Sequence, residues 1–170
     1  VTGQIGGTNA WDTPIGGATL PLLGLNDLRK LSQEGIELGA HTRTHRPLDK
    51  LSAAELEEEL VGSAADLEAH GLERPRFLAY PYGECNHEVR AAAQKAGYCA
   101  AFTIDGGLVL PGQDRFQLAR IEISREHTGL RLLGHVLFPN CPLFKMGGLG
   151  RFSADRRWQR VVGWARQFIR

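Results

Sequence analysis

The sequence predicts an α/β fold in which βα units surround a parallel sheet or barrel. Three observations carry that prediction. Strand-like and helix-like runs alternate from about residue 36 to residue 123, the cadence of successive βα units. Each of the first three predicted helices stops at a glycine: Gly35, Gly71 and Gly97. The polar loops at His41–His45, Pro81–Gly83 and Asp105–Gly106 each follow a predicted strand, the end at which such folds collect functional groups.

Length and composition set the frame. A chain of 170 residues can bury a single sizeable core, and 42% hydrophobic with 23% charged residues is ordinary for a globular domain. A net charge of +1 provides no strong field toward nucleic acid or membrane as a general partner. No apolar run approaches the roughly 18 residues of a spanning helix. Cys85, Cys99 and Cys141 are scattered, with no CxxC pair, and support neither a disulfide framework nor a cysteine metal site. Cys99, within an apolar run, is expected in the core as a small hydrophobe. The chain starts at Val1 with no signal-peptide pattern, and is expected to be a processed product or a piece of a longer protein.

The elements follow in order. Val1 to Pro21 reads as the end of a strand and a long loop holding Trp11 and Asp12. Leu25, Leu28 and Leu31 share a face of a helix from about Asn26, its expected cap, to Glu34. Ile36 to Ala40 is a strand leading into His41-Thr42-Arg43-Thr44-His45. Ser52 and Glu55 form a capping box for a helix that runs to about His70, with Leu56, Leu60, Ala64 and Leu67 as its core stripe. The acidic run Glu57–Glu59 reads as a solvated helix start, favoured by the helix dipole. Arg76–Tyr80 is a strand, Asn86 caps a helix through Ala96, Tyr98–Ile104 is a second β-rich run, and Phe116–Ile123 a further strand. His127 to Leu137 has helical spacing. Lys145 to Arg170 carries seven basic residues against one acidic. Capped by Ser153, it places Trp158, Val161, Val162, Ala165 and Phe168 on one face, an amphipathic helix for packing on the domain or for weak contact with a membrane surface.

The chemistry concentrates on His41 and His45. Histidines at i and i+4 can turn the same way from one helical turn and grip one divalent ion, with Thr42 and Thr44 available to orient the rings or the backbone. Imidazole suits zinc, and a catalytic site normally adds a third protein ligand, often a carboxylate. Spacing alone leaves open whether this pair binds metal.

His41-Thr-Arg-Thr-His45 resembles the H-[ST]-x-x-H motif of the polysaccharide deacetylases, the NodB-homology family (carbohydrate esterase family 4). The resemblance continues, in order, through Tyr80-Pro81-Tyr82-Gly83, Ala96-Gly97-Tyr98-Cys-Ala-Ala-Phe-Thr and Leu118-Ala-Arg120-Ile121, and Val1-Thr-Gly resembles the end of the preceding strand. It covers roughly residues 1 to 125. It implies a distorted (β/α) barrel, incomplete at its N-terminus, over residues 1–138, with 139–170 as a basic tail. It also implies metal-dependent removal of acetyl groups from N- or O-acetylated sugars of a polymer or oligosaccharide, with no nucleic acid partner. The implied cofactor is a divalent metal, zinc first, with cobalt, nickel or iron as alternatives.

By resemblance His41 and His45 are metal ligands, and Tyr82 lines the groove and supplies an oxyanion N–H. Tyr80, Pro81 and Trp11 contact the sugar, Arg120 orients the base, and His127 is the candidate general acid. His87 and His135 are lesser candidates for acid–base work. The family's remaining ligand and its base are adjacent aspartates, and this sequence has no adjacent pair; Asp12 and Asp105 lie in other settings. Ala79-Tyr80 stands where many members carry an arginine before the proline, a departure that resembles the branch acting on β-linked glucosamine polymers. The chain as written is therefore expected to be inactive, a non-catalytic carbohydrate-binding remnant being the alternative. A binding module with a structural metal ranks last, because four closed ligands are not supplied.

Overall fold

The computed structural model describes residues 1–123 and 127–137. The chain divides into two compact units, Val1–Glu122 and Ile123–Arg170. The expected tail at 139–170, with Ser153, Trp158 and its companions, lies outside the described residues. Among those described, no helix is long and apolar enough to cross a membrane.

The first unit is built on parallel pairing. Strand β1 (Phe77–Ala79) pairs with β2 (Ala100–Phe102) in parallel register, Leu78 opposite Ala101. Single parallel bridges extend the order on both sides, Ala40 to Leu78 and Leu118 to Phe102. Four consecutive chain segments thus lie side by side, as βα units demand.

Two expected strands shrink to these bridges, and several of their amides are bonded elsewhere. Ile36 N–H donates to Leu31 O and closes the preceding helix, and Ala40 is the residue of this run that joins the ladder, through bonds of 2.8 and 2.9 Å with Phe77 O and Ala79 N. In the 116–123 run, Phe116 N–H donates to the Asp114 side chain, Gln117 N–H to Asp114 O, and Arg120 N–H to Asp105 O. The opening residues, expected as a strand end, form a single 3₁₀ turn at Thr2–Gln4.

Three α-helices accompany the sheet in this unit. Helix α1 (Leu25–Gln33) is capped by Gly24, whose N–H donates to the Asp27 carboxylate at 3.0 Å; the expected cap, Asn26, lies inside the first turn. Helix α2 (Ala53–Ala69) starts at the Ser52–Glu55 capping box, and helix α3 (His87–Lys95) at Asn86, whose Oδ1 accepts from Val89 N–H at 2.8 Å. Leu48, Leu56, Leu60, Leu78, Tyr80, Val89, Ala93, Tyr98, Ala101 and Phe116 form one core cluster. Each fully buried leucine contributes about 1.5–3 kcal/mol through its apolar area. Cys99, expected inside, is exposed: it sits at the bend just before β2, its N–H bound to Arg76 O at 2.7 Å, while its neighbours Tyr98 and Ala100 are buried. In the second unit, helix α4 spans Gly129–Leu137.

Candidate metal centre

The loop after Ala40 is not a helical turn. Thr42 (φ 63°) and His45 (φ 65°) occupy the left-handed region, where non-glycine residues persist only when their surroundings fix them. Thr42 is fully buried, and its hydroxyl accepts the His45 N–H at 3.1 Å, so the threonine side chain makes the turn. From outside, Thr2 and Gly3 donate their N–H groups to Thr42 O and Arg43 O at 3.2 and 2.9 Å. Gly3 permits this approach, since a Cβ there would lie 2.8 Å from Arg43 O.

This backbone, rather than helical phase, brings the two histidines together. His41 Nε2 and His45 Nε2 are 3.1 Å apart. His41 Nδ1 lies 2.7 Å from Ala79 O. A carbonyl only accepts, so Nδ1 carries the hydrogen and the neutral ring presents the Nε2 lone pair. Two imidazole nitrogens on one tetrahedral ion, at about 2.0–2.1 Å each, would sit roughly 3.3 Å apart. The pair fits that donor set, with the outer nitrogen of His41 held by a carbonyl in the manner common to metal-binding histidines.

The electrostatics agree. Burial lowers the His45 pKa to about 4, aided by the adjacent His41 and partly opposed by Asp12. Burial also lowers His41, against the Ala79 carbonyl, and the Val1 amine and Arg120 act in the same lowering direction. Both rings are therefore neutral rather than protonated cations at neutral pH, the form that ligates metal. Among the described residues, no third His, Cys, Asp or Glu completes a metal-binding trio with them. His45 Nδ1 is buried without a hydrogen-bond partner.

The other expected site residues divide. Trp11, on the 3₁₀ turn Ala10–Ile15, stacks face to face on His45, with centroids 4.7 Å apart and planes at 17°. Tyr82 meets the same ring edge-on at 4.9 Å. Tyr82 has φ 57° and Gly83 φ 74°, and a Cβ on Gly83 would collide with Ile104 at 2.3 Å, so this sharp turn depends on glycine. Arg120 Nε donates to Thr103 O at 2.7 Å, and its charge acts on His41. Thus His41, His45, Trp11, Tyr82 and Arg120 gather at one place.

Tyr80 and Pro81 do not face outward as expected of sugar contacts. Both are fully buried, and the Tyr80 hydroxyl donates to Phe116 O at 2.9 Å, so they pack beneath the turn. Asp105 is exposed, and its carbonyl accepts from Arg120 N–H. His87 is exposed in the first turn of α3, His127 is half-buried just before α4, and His135 lies within α4.

One residue of the loop's surroundings is not where its sequence context puts it. Glu59, expected in a solvated acidic run, is only 4% exposed and accepts hydrogen bonds from Arg43 N–H, Thr44 N–H and the Thr44 hydroxyl. A signal exists in the sequence: positions 56, 59, 60, 63, 64 and 67 are the buried positions of α2, and their spacing puts Glu59 on the core stripe.

Comparison with known proteins points the same way. A family model described as polysaccharide deacetylase matches residues 7–101. A chitooligosaccharide deacetylase from Bradyrhizobium is 35% identical over 91 residues, which is 52% of this chain and 42% of that protein. Deacetylase PplD of Streptococcus pyogenes, solved in complex with acetate, superposes with TM-score 0.63 at 24% identity, covering 72% of this chain and 53% of that one. A polysaccharide deacetylase from Bacillus cereus superposes with TM-score 0.54 at 28% identity, covering 59% and 32%. The chain spans 37% and 42% of the length of the curated relatives it matches. These neighbours share the NodB barrel, of which the described residues form a part with a two-stranded sheet. With a family match across more than half its length and a converging histidine pair where that match runs, the chain belongs to the polysaccharide deacetylase family.

Proposed function

We propose that this chain is part of a metal-dependent hydrolase that removes acetyl groups from N-acetylated, or O-acetylated, sugars of a polysaccharide or oligosaccharide. The observation that carries the reading is the convergence of His41 and His45 Nε2 with His41 Nδ1 held by Ala79 O. Zinc is the ion that best suits two neutral imidazoles, and when bound it would polarise the acetyl carbonyl and make water more acidic. The chain's own residues then divide the remaining work. His41 and His45 would hold the ion. The Tyr82 amide is the candidate donor to the oxyanion, a contribution worth about 3–4 kcal/mol where measured in acyl-transfer enzymes. Arg120, anchored on Thr103 O, places a positive charge on the His41 side of the site, where it would orient a carboxylate base. Trp11 and Tyr82 flank His45 and form the aromatic edge available to a sugar. His127 is the proposed general acid.

A second reading, a carbohydrate-binding domain without catalysis, is favoured by one observation. The sequence has no adjacent aspartates, and no third ligand joins the pair among the described residues. Loss of a general base typically costs about 10²–10⁴-fold in rate. The 170-residue chain alone is therefore expected to release acetate from chito-oligosaccharides near background. Robust release by the pure chain would show that it completes its own site.

Calorimetric titration with Zn²⁺ tests the metal assignment directly. Weak binding is expected for the chain, lost in His41→Ala and in His45→Ala. Identical binding by the double variant would sink the assignment.

A further inference from the structure

We propose that Glu59 is a positioning residue, whose buried carboxylate holds the His41–His45 loop in the form that makes its two imidazoles converge. The inference rests on reading those histidines as metal ligands, and extends it to a residue on a different element. Three donors converge on Glu59: Arg43 N–H at 3.0 Å, Thr44 N–H at 2.9 Å and the Thr44 hydroxyl. Both amides lie between the two histidines in sequence. The two amide bonds go to Oε2 and the hydroxyl bond to Oε1, so the group acts purely as an acceptor.

The loop needs such a hold. Thr42 and His45 both carry positive φ, a backbone that relaxes unless several contacts over-determine it. Thr42 supplies an inner contact through its hydroxyl to His45 N–H. Glu59 supplies the outer one, and the intervening Arg43 side chain is drawn along the same helix. Its Nε lies 3.1 Å from Asp66 Oδ2 and its Nη1 3.4 Å from Glu58 Oε1. Gly62 leaves room for it, since a Cβ there would approach Arg43 Cδ at 3.3 Å. Asp66 in turn accepts the Thr2 hydroxyl at 2.8 Å. Helix α2 therefore serves as the jig against which the histidine loop is set, with Glu59 as its central contact. Outer contacts of this type, when removed from metal sites, typically weaken metal affinity about 10- to 100-fold.

The experiment uses the full 170-residue chain, with amide hydrogen exchange in the absence of metal and Zn²⁺ calorimetry. Glu59→Gln keeps the shape but replaces one acceptor oxygen by a donor. It is expected to speed exchange at Arg43 and Thr44 at least tenfold, leave the core amides of α2 protected, and weaken Zn²⁺ binding about tenfold or more. Ser63→Ala is the control. Ser63 lies on the same helix; its loss breaks the buried contacts to Leu60 O and to the Tyr98 hydroxyl, none of them to a loop residue, and is expected to lower the melting temperature alone. Unchanged exchange in Glu59→Gln, or the same exchange and Zn²⁺ loss in Ser63→Ala, would overturn the proposal. If Glu59→Gln fails to fold, Thr44→Val decides, since Thr44 is exposed and only the hydroxyl contact is lost. Severalfold faster exchange at the two amides supports the role, and unchanged rates refute it. A parent chain that binds no Zn²⁺ would defeat the metal reading, while the metal-free exchange rates would still decide whether Glu59 holds the loop.

Discussion

Single residues set the pH behaviour. An unperturbed imidazole titrates near 6.5, whereas burial brings His45 to about 4 in the folded chain. Between these values the unfolded chain binds a proton that the folded chain does not, so stability rises with pH across that window. The contribution is complete above about 6.5 and is lost as the pH falls toward 4. Thermal melts of the metal-free chain are thus expected to shift downward from about pH 6.5 to about pH 4, and the part due to His45 should vanish in His45→Ala. A melting temperature flat across the window would contradict the buried, neutral His45. Gly3 offers a steric counterpart. A methyl group there would press on Arg43 O at 2.8 Å, and that oxygen, being backbone, cannot swing aside. Gly3→Ala is expected to cost about 1–3 kcal/mol in chemical denaturation and to loosen the histidine loop. At this scale the sequence is legible where chemistry is local to a motif, as at His41 and His45. It misleads where burial depends on phase. Composition groups Glu59 with Glu57 and Glu58, although only Glu59 shares the stripe of Leu56 and Ser63. The neighbours of Cys99 are buried, although Cys99 itself is exposed at the bend before β2.

Elements are readable when their signals lie within a few residues. Ser52, Glu55 and Asn86 cap α2 and α3 as their spacing predicts, because a cap needs only its own first turn. Ser52→Ala is expected to cost about 1 kcal/mol, measured as a denaturant midpoint shift at constant slope. Leu60, fully buried on α2, is a stronger test of the core, with Leu60→Ala expected to cost about 2–5 kcal/mol. Strands are less readable. The 36–40 and 116–123 runs have strand-like composition, but their amides are claimed by the end of α1, by the Asp114 turn and by Asp105 O. Such competition is decided by partners distant in sequence, so composition overstates the ladder.

At the scale of the molecule, the sequential parallel order of Ala40, β1, β2 and Leu118 follows from the βα cadence, because short crossovers place consecutive segments side by side. The core cluster and the residues gathered at the histidine pair all belong to the first compact unit. A chain of residues 1–122 is accordingly expected to keep the helical circular dichroism due to α1, α2 and α3 and to bind Zn²⁺ within about twofold of the full chain. A tenfold loss would assign part of the site to residues beyond Glu122. What the sequence could not supply is how the loop reaches its geometry: two left-handed residues, a threonine that makes the turn and a helix that braces it.

The stacking of Trp11 on His45 has an optical consequence. An indole in face contact with an imidazole shares that ring's electronic fate, so its emission should respond if the imidazole is protonated or takes up a paramagnetic ion such as Cu²⁺. Among the described residues Trp11 is the tryptophan at the histidine pair, and the difference between the parent chain and Trp11→Phe would isolate its signal from Trp158 and Trp164. The site thus carries its own fluorophore, and its occupancy can be followed without a label.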